Sequence, residues 1–138
     1  MHIGPTAKQA SDASPPRTVL VVDDEAHIRT IAELILTEAG FRVANAANGV
    51  EALGLFDSSS DVFDLVILDL TMPRMGGATA FSEIRKRRPD LAILLTSGYG
   101  ETEAEALLQH GSTAFLQKPF EVDDLLLSVR RLLSTTPP

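Results

Sequence analysis

The chain has 138 residues, 44 % of them hydrophobic, a formal net charge of −7 and no cysteine. That is one domain of ordinary size with enough apolar material for a real core. The acid excess argues against a nucleic-acid-binding surface, which needs a basic stripe, and the lack of cysteine excludes a disulfide framework or a thiolate metal site. No apolar stretch approaches the roughly 20 residues of a membrane helix. Met1 to Pro16 lack the apolar centre of a secretory signal, so a cytoplasmic protein without membrane insertion is expected.

Residues 1–16 are rich in Pro, Ala and Ser and show no periodicity, which predicts a flexible tail or linker. The last residues, 135–138, read the same way, leaving a folded domain over 17–134. Inside it, short apolar runs alternate with helical patterns. The run at 18–22 predicts a strand. A helix follows over 25–39, with Ile28, Ile31, Ala32, Ile35 and Ala39 on one face and Gly40 as its C′ residue. A strand at 41–44 leads to a helix over 48–57 that Asn48 can cap. The run at 64–68 predicts a third strand, followed by a helix over 78–88. That helix ends in Arg85-Lys86-Arg87-Arg88, where cations complement the macrodipole, and Pro89 stops it.

A fourth strand is predicted over 91–95, a helix over 100–110 ended by Gly111, and a fifth strand over 113–117. The final helix, 121–133, carries Val122, Leu125, Leu126, Val129 and Leu133 on one face. Its first turn is acidic and its last turn basic. The first, third and fourth strands are apolar at nearly every position, as strands covered on both faces are. Five βα units predict an α/β fold with a single doubly wound, five-stranded parallel sheet and helices on both faces. Ligands of such sheets bind beyond the carboxyl ends of the strands.

The residues at those ends are chemically selective. Asp23 and Asp24 follow the first strand, Asp69 the third, Thr96 and Ser97 the fourth, and Lys118 the fifth. Three converging carboxylates repel one another and resist ionising together. A hard divalent cation such as Mg²⁺, which takes oxygen ligands, offsets that repulsion. One carboxylate can then act as a nucleophile toward phosphorus, while the metal and a lysine stabilise the transferred oxygens.

The set Asp23-Asp24, Asp69 with Met72-Pro73, Thr96-Ser97-Gly98-Tyr99 and Lys118-Pro119-Phe120 resembles the response-regulator receiver domain of two-component signalling. The resemblance covers roughly residues 17–134. It implies the flavodoxin-like (βα)5 strand order 2-1-3-4-5, which sets Asp24 beside Asp69. It further implies Asp69 as phosphoacceptor, Asp24 as a direct Mg²⁺ ligand, Asp23 as a ligand largely through water, and the Thr71 carbonyl as another. Thr96 resembles the switch hydroxyl, Lys118 the phosphate-binding cation and Phe115 the aromatic that changes rotamer on activation. A cis Lys118–Pro119 bond is implied too. Gly76-Gly77 departs from the acid or Asn usual before the glycine and is expected to loosen that loop.

On this resemblance the chain takes a phosphoryl group from a sensor histidine kinase or a histidine phosphotransfer domain. It then switches the face built by the fifth strand and the helices over 100–110 and 121–133. It catalyses only its own phosphorylation and dephosphorylation, meets no nucleic acid, and can pair with a second copy on activation. Ile28, or its neighbours on the first helix, is a candidate partner contact as well as a core residue; Leu127 on the final helix can join an interface. Other readings remain: a small phosphate-ester hydrolase with an aspartyl intermediate, a flavin-binding module, or a pseudo-receiver that only binds. With no output domain following residue 134, the chain reads either as a stand-alone receiver or as part of a hybrid kinase or larger regulator.

Overall fold

The structure, a computed structural model, describes residues 16–59, 62–72 and 75–135. The expected tails over 1–16 and 135–138 therefore lie, apart from Pro16 and Thr135, outside the described residues, as do Pro73 and Arg74. Five strands alternate with helical segments: β1 (Thr18–Val22), α1 (Ala26–Glu38), β2 (Arg42–Ala46), α2 (Gly49–Ser59), β3 (Leu65–Asp69), α3 (Gly77–Arg87), β4 (Ala92–Ser97), β5 (Thr113–Gln117) and α4 (Val122–Thr135). All strand pairs are parallel, in the order β2-β1-β3-β4-β5. The doubly wound sheet is the expected one.

Alternation along each strand builds two apolar layers. Leu20, Val22, Val66, Leu68, Ile93 and Leu95 face α2 and α3, where Phe56, Phe81 and Ile84 meet them. Val19, Val21, Leu65, Ile67, Ala92 and Leu94 face α1 and α4, against Ala32, Leu36, Leu125 and Val129. β1, β3 and β4 are almost wholly buried. Asn48 caps α2 as expected: its Oδ1 accepts the Glu51 N–H at 2.9 Å, and Glu51 Oε1 accepts the Ala47 N–H at 2.8 Å. The pair resembles a capping box, except that Glu51 reaches back to Ala47, one residue before the N-cap.

Three expectations fail locally. The helix over 100–110 is replaced by two short 3-10 turns, Glu101–Ala104 and Leu107–Gln109, so the described residues form four α-helices. Helix propensity there is high but is a weak prior that tertiary contacts override. The chain leaves β4 through Gly100 at φ 94°. Its far end is clamped from outside by Arg85, whose guanidinium donates to the carbonyls of His110 (3.1 Å) and Ser112 (3.2 Å) and to Thr113 Oγ1 (2.8 Å).

The buried line of α1 is Ala32 and Leu36, whereas Ile31 is 46 % exposed. On α4 the buried residues are Leu125, Val129, Leu132 and Leu133, while Val122 stands in solvent. The other predicted face residues, Ile28, Ile35 and Ala39 on α1 and Leu126 on α4, are half-buried, so each face holds except at the edge where Ile31 and Val122 lie.

Gly77 does not loosen its loop. A Cβ there would run into Leu70 Cα and come within 2.7 Å of the Asp69 carbonyl oxygen. Only glycine lets the first turn of α3 pack this close to the end of β3. Gly76 has open space around it.

Candidate functional site

The parallel register carries the site. Val22 pairs with Leu68, Asp69 with Thr96, and Ser97 with Gln117. The ladder runs one step further through the Asp23 N–H to Ala46 O (3.1 Å), the Leu70 N–H to Thr96 O (2.9 Å) and the Lys118 N–H to Ser97 O (2.9 Å). Asp23, Asp69 and Thr96 consequently stand level at one edge of the sheet, and Lys118 lies two residues past Leu116, the partner of Thr96. Asp69, Thr96 and Ser97 close their strands rather than follow them. The Lys118–Pro119 peptide is cis.

Lys118 Nζ lies 2.9 Å from Asp23 Oδ2 and 3.3 Å from Asp69 Oδ2. Both carboxylates are buried, whereas Asp24 is exposed. One carboxylate oxygen from each of Asp23, Asp24 and Asp69 lies within 4.8 Å of the others. Asp23 is pushed above the ordinary carboxylate range by burial above all, against the opposing pull of the Glu25 N–H and Lys118. Asp24 is pushed up as well, by desolvation first and then by Asp69. Burial is the largest single influence on Lys118 and would lower it. The hydrogen bonds and charges of Asp23, Asp69 and Glu25 together outweigh burial, so the ammonium is raised and stays protonated.

This donor set fits a hard divalent cation: three oxygen ligands, crowded like charges, and one face open to water. Asp69 Oδ1 accepts two bonds from Thr71, from the N–H at 3.0 Å and the hydroxyl at 2.8 Å. Its Oδ2 is held by Lys118. Thr96 is buried beside Asp69 in the register. Phe115 is half-buried opposite Leu95 and packs on the α2/α3 layer with Leu107 and Leu108.

Sequence reasoning missed three contacts. The Thr71 hydroxyl on Asp69 was not foreseen, although a Thr two residues past an Asp commonly closes such a turn. Glu25 Oε1 reaches Lys118 at 3.2 Å. Arg29 donates to the Asp23 carbonyl at 2.6 Å, one turn into α1. The basic run at 85–88 is structural, as expected: Arg87 pairs with Asp57 and Glu83, and Arg88 donates to Phe63 O.

A doubly wound parallel sheet with an acidic triad and a lysine at its carboxyl edge defines a class: domains that handle a phosphoryl group beside a metal. The sequence profile of the response regulator receiver domain matches residues 19–130, and the chain belongs to that family. Mg²⁺ and phosphorylation are typical of its members. The chain is 37 % identical over 127 residues to the sensor kinase CckA of Brucella abortus, covering 91 % of this chain and 13 % of that protein. It is 37 % identical over 132 residues to the transcriptional regulatory protein PdtaR of Mycobacterium tuberculosis, covering 95 % of this chain and 62 % of PdtaR. The chain thus spans only part of the length of these relatives. Among solved structures, the response regulator TrrA of Thermotoga maritima in complex with Mg²⁺ and BeF superposes with a TM-score of 0.76 at 37 % identity, over 85 % of this chain and 99 % of that one. The expectation of no nucleic-acid partner finds no support in these relatives, one of which is a regulator of transcription. Among the described residues no helix is long and apolar enough to cross a membrane.

Proposed function

We propose that residues 17–134 form a receiver that accepts a phosphoryl group on Asp69 from a phosphohistidine of a sensor histidine kinase or a histidine phosphotransfer domain. The observation that carries this reading is the meeting of Lys118, Asp23 and Asp69 within 3.3 Å, with Asp24 completing the triad. Both relatives and family point the same way, since CckA is a sensor kinase.

Asp69 Oδ1 is engaged by two Thr71 donors and Oδ2 by Lys118, which together hold the carboxylate in place. The P–N bond to the donor imidazole breaks as the P–O bond to the Asp69 carboxylate forms, and the imidazole leaves with the bond pair. Lys118 stays bound to the transferred group and offsets its negative charge. Asp23, Asp24, Asp69 and the Thr71 carbonyl would hold a magnesium ion, which would supply further neutralisation of the phosphoryl oxygens. Thr96 then bonds the phosphoryl group, and Phe115 moves into the space that Thr96 leaves. That shift biases β5, the 98–110 crossover and α4, a local charge change with a wider readout.

The phosphodonor docks on α1. Ile28 is half-buried, but Ile31 and Leu34 (63 % exposed) present an apolar stripe below the site. Beside it runs a groove of about 510 Å³ between α1 and α4, with Leu34, Ile35, Val122 and Leu126 in its walls. A helical partner can lay its own apolar face there. Leu127, also exposed, stands ready for the contact of two activated copies. The chain is cytoplasmic and performs no chemistry beyond its own phosphorylation and dephosphorylation. Incubation with an autophosphorylated sensor kinase and Mg²⁺ tests the reading. Label moves to the wild-type chain and not to Asp69→Asn; equal labelling of both refutes it.

A further inference from the structure

An ammonium has three protons to donate, and Lys118 directs all three to carboxylates: Asp23 Oδ2 at 2.9 Å, Glu25 Oε1 at 3.2 Å and Asp69 Oδ2 at 3.3 Å. If Asp69 is the phosphoacceptor, as proposed above, an arriving phosphoryl oxygen needs a donor from an ammonium that has none to spare. One partner must be exchanged. Asp23 is buried, and a buried carboxylate stripped of its counter-charge is heavily penalised. Asp69 carries the incoming group itself. Glu25 is different: its side chain is 48 % exposed, so water replaces the lost ammonium at small cost.

The placement of Glu25 points the same way. It occupies the N-cap of α1, at φ −91° and ψ 113°, yet makes no side-chain cap bond. Ser, Thr, Asp and Asn are the side chains that satisfy an N–H of the first turn from that position, and the longer glutamate is not among them. Here it instead crosses to a residue 93 positions away in the chain. We propose that Glu25 is a positioning residue: it holds Lys118 in the unphosphorylated protein and is the partner displaced when the phosphoryl oxygen arrives. No covalent bond to Glu25 is made or broken; one hydrogen bond is exchanged for another. By holding the lysine, Glu25 raises the concentration of phosphodonor needed to load Asp69.

The test is a titration with acetyl phosphate at fixed Mg²⁺, read by intact mass, on the wild type, Glu25→Gln and Glu25→Asp. Glu25→Gln removes the charge and keeps the shape. Glu25→Asp keeps the charge but is one methylene too short to reach the ammonium. Both are expected to lower the half-saturating acetyl phosphate concentration, Glu25→Gln by about two- to five-fold, the span of an exposed ion pair. Mg²⁺ affinity, measured separately, stays within about two-fold of wild type, because a loss of ion-pair reach leaves the metal ligands in place. A wild-type half-saturation in Glu25→Gln overturns the inference. So does a shift that Glu25→Asp does not share, or one matched by an equal change in Mg²⁺ affinity. A wild-type chain that takes no phosphoryl group at all overturns the phosphoacceptor reading instead.

Discussion

Replacing Asp24 with Asn is the sharpest perturbation of the acidic triad. It removes one charge from three carboxylates whose oxygens lie within 4.8 Å of one another. At that separation a like pair costs about 0.9 kcal/mol in bulk water and about 3.5 kcal/mol at an effective dielectric of 20. Asp24 is exposed, which puts it near the lower figure. Lys118 cancels part of the field of Asp23 and Asp69. Physiological salt screens little at this range, since the Debye length is about 8 Å. Without divalent ions the variant is therefore expected to be more stable than wild type by about 1 kcal/mol, or roughly 3–5 °C in melting temperature for a domain of this size. The assay is a far-UV melt in EDTA and again in millimolar Mg²⁺. Wild type gains stability from the metal, and Asp24→Asn gains little. A variant less stable than wild type in EDTA, or one that gains as much from Mg²⁺, refutes the reasoning.

Thr71 and Gly98, the second residues after Asp69 and Thr96, offer no carboxylate or carboxamide to orient an attacking water. The aspartyl phosphate is expected to be long-lived, and Thr71→Asn to shorten its lifetime severalfold, as label decay in purified protein will show. Gly77→Ala forces a Cβ against Asp69 and Leu70. It is expected to cost about 1–3 kcal/mol of stability in a denaturant melt, as overpacking does, and to weaken Mg²⁺ binding because the end of β3 moves. Arg87 holds Asp57 and Glu83 below the ordinary carboxylate range through hydrogen bonds. A depressed folded value means that the contribution is fully present above the ordinary value and lost as pH falls through the folded one. The small stability gap between wild type and Arg87→Ala is therefore expected at neutral pH and should vanish in melts well below the carboxylate range.

The site was legible in the sequence because each of its residues ends an apolar run, and a parallel sheet aligns such ends. Asp69 and Thr96 are register partners for that reason. The strand order itself came from resemblance, since nothing local fixes which strand sits beside which. The 100–110 segment was misread because its propensities are local while its constraints are not. The Arg85 clamp on His110, Ser112 and Thr113 comes from a different helix. Ile31 and Val122 were misplaced for a related reason: periodicity gives a stripe about half a helix wide, and packing chooses which edge is covered. The reach of Glu25 to Lys118 spans 93 residues and leaves no trace in spacing. Gly77 was misjudged because a glycine required by close approach and a glycine in a slack loop are the same letter.

The central claim is that Asp69 carries the phosphoryl group in a metal-dependent reaction. Treatment with acetyl phosphate and Mg²⁺, followed by intact mass and fragmentation, tests it directly. The expected result is a single added phosphoryl group located on Asp69, lost in EDTA and lost in Asp69→Asn. Label on any other residue, or equal labelling without a divalent ion, would contradict the account.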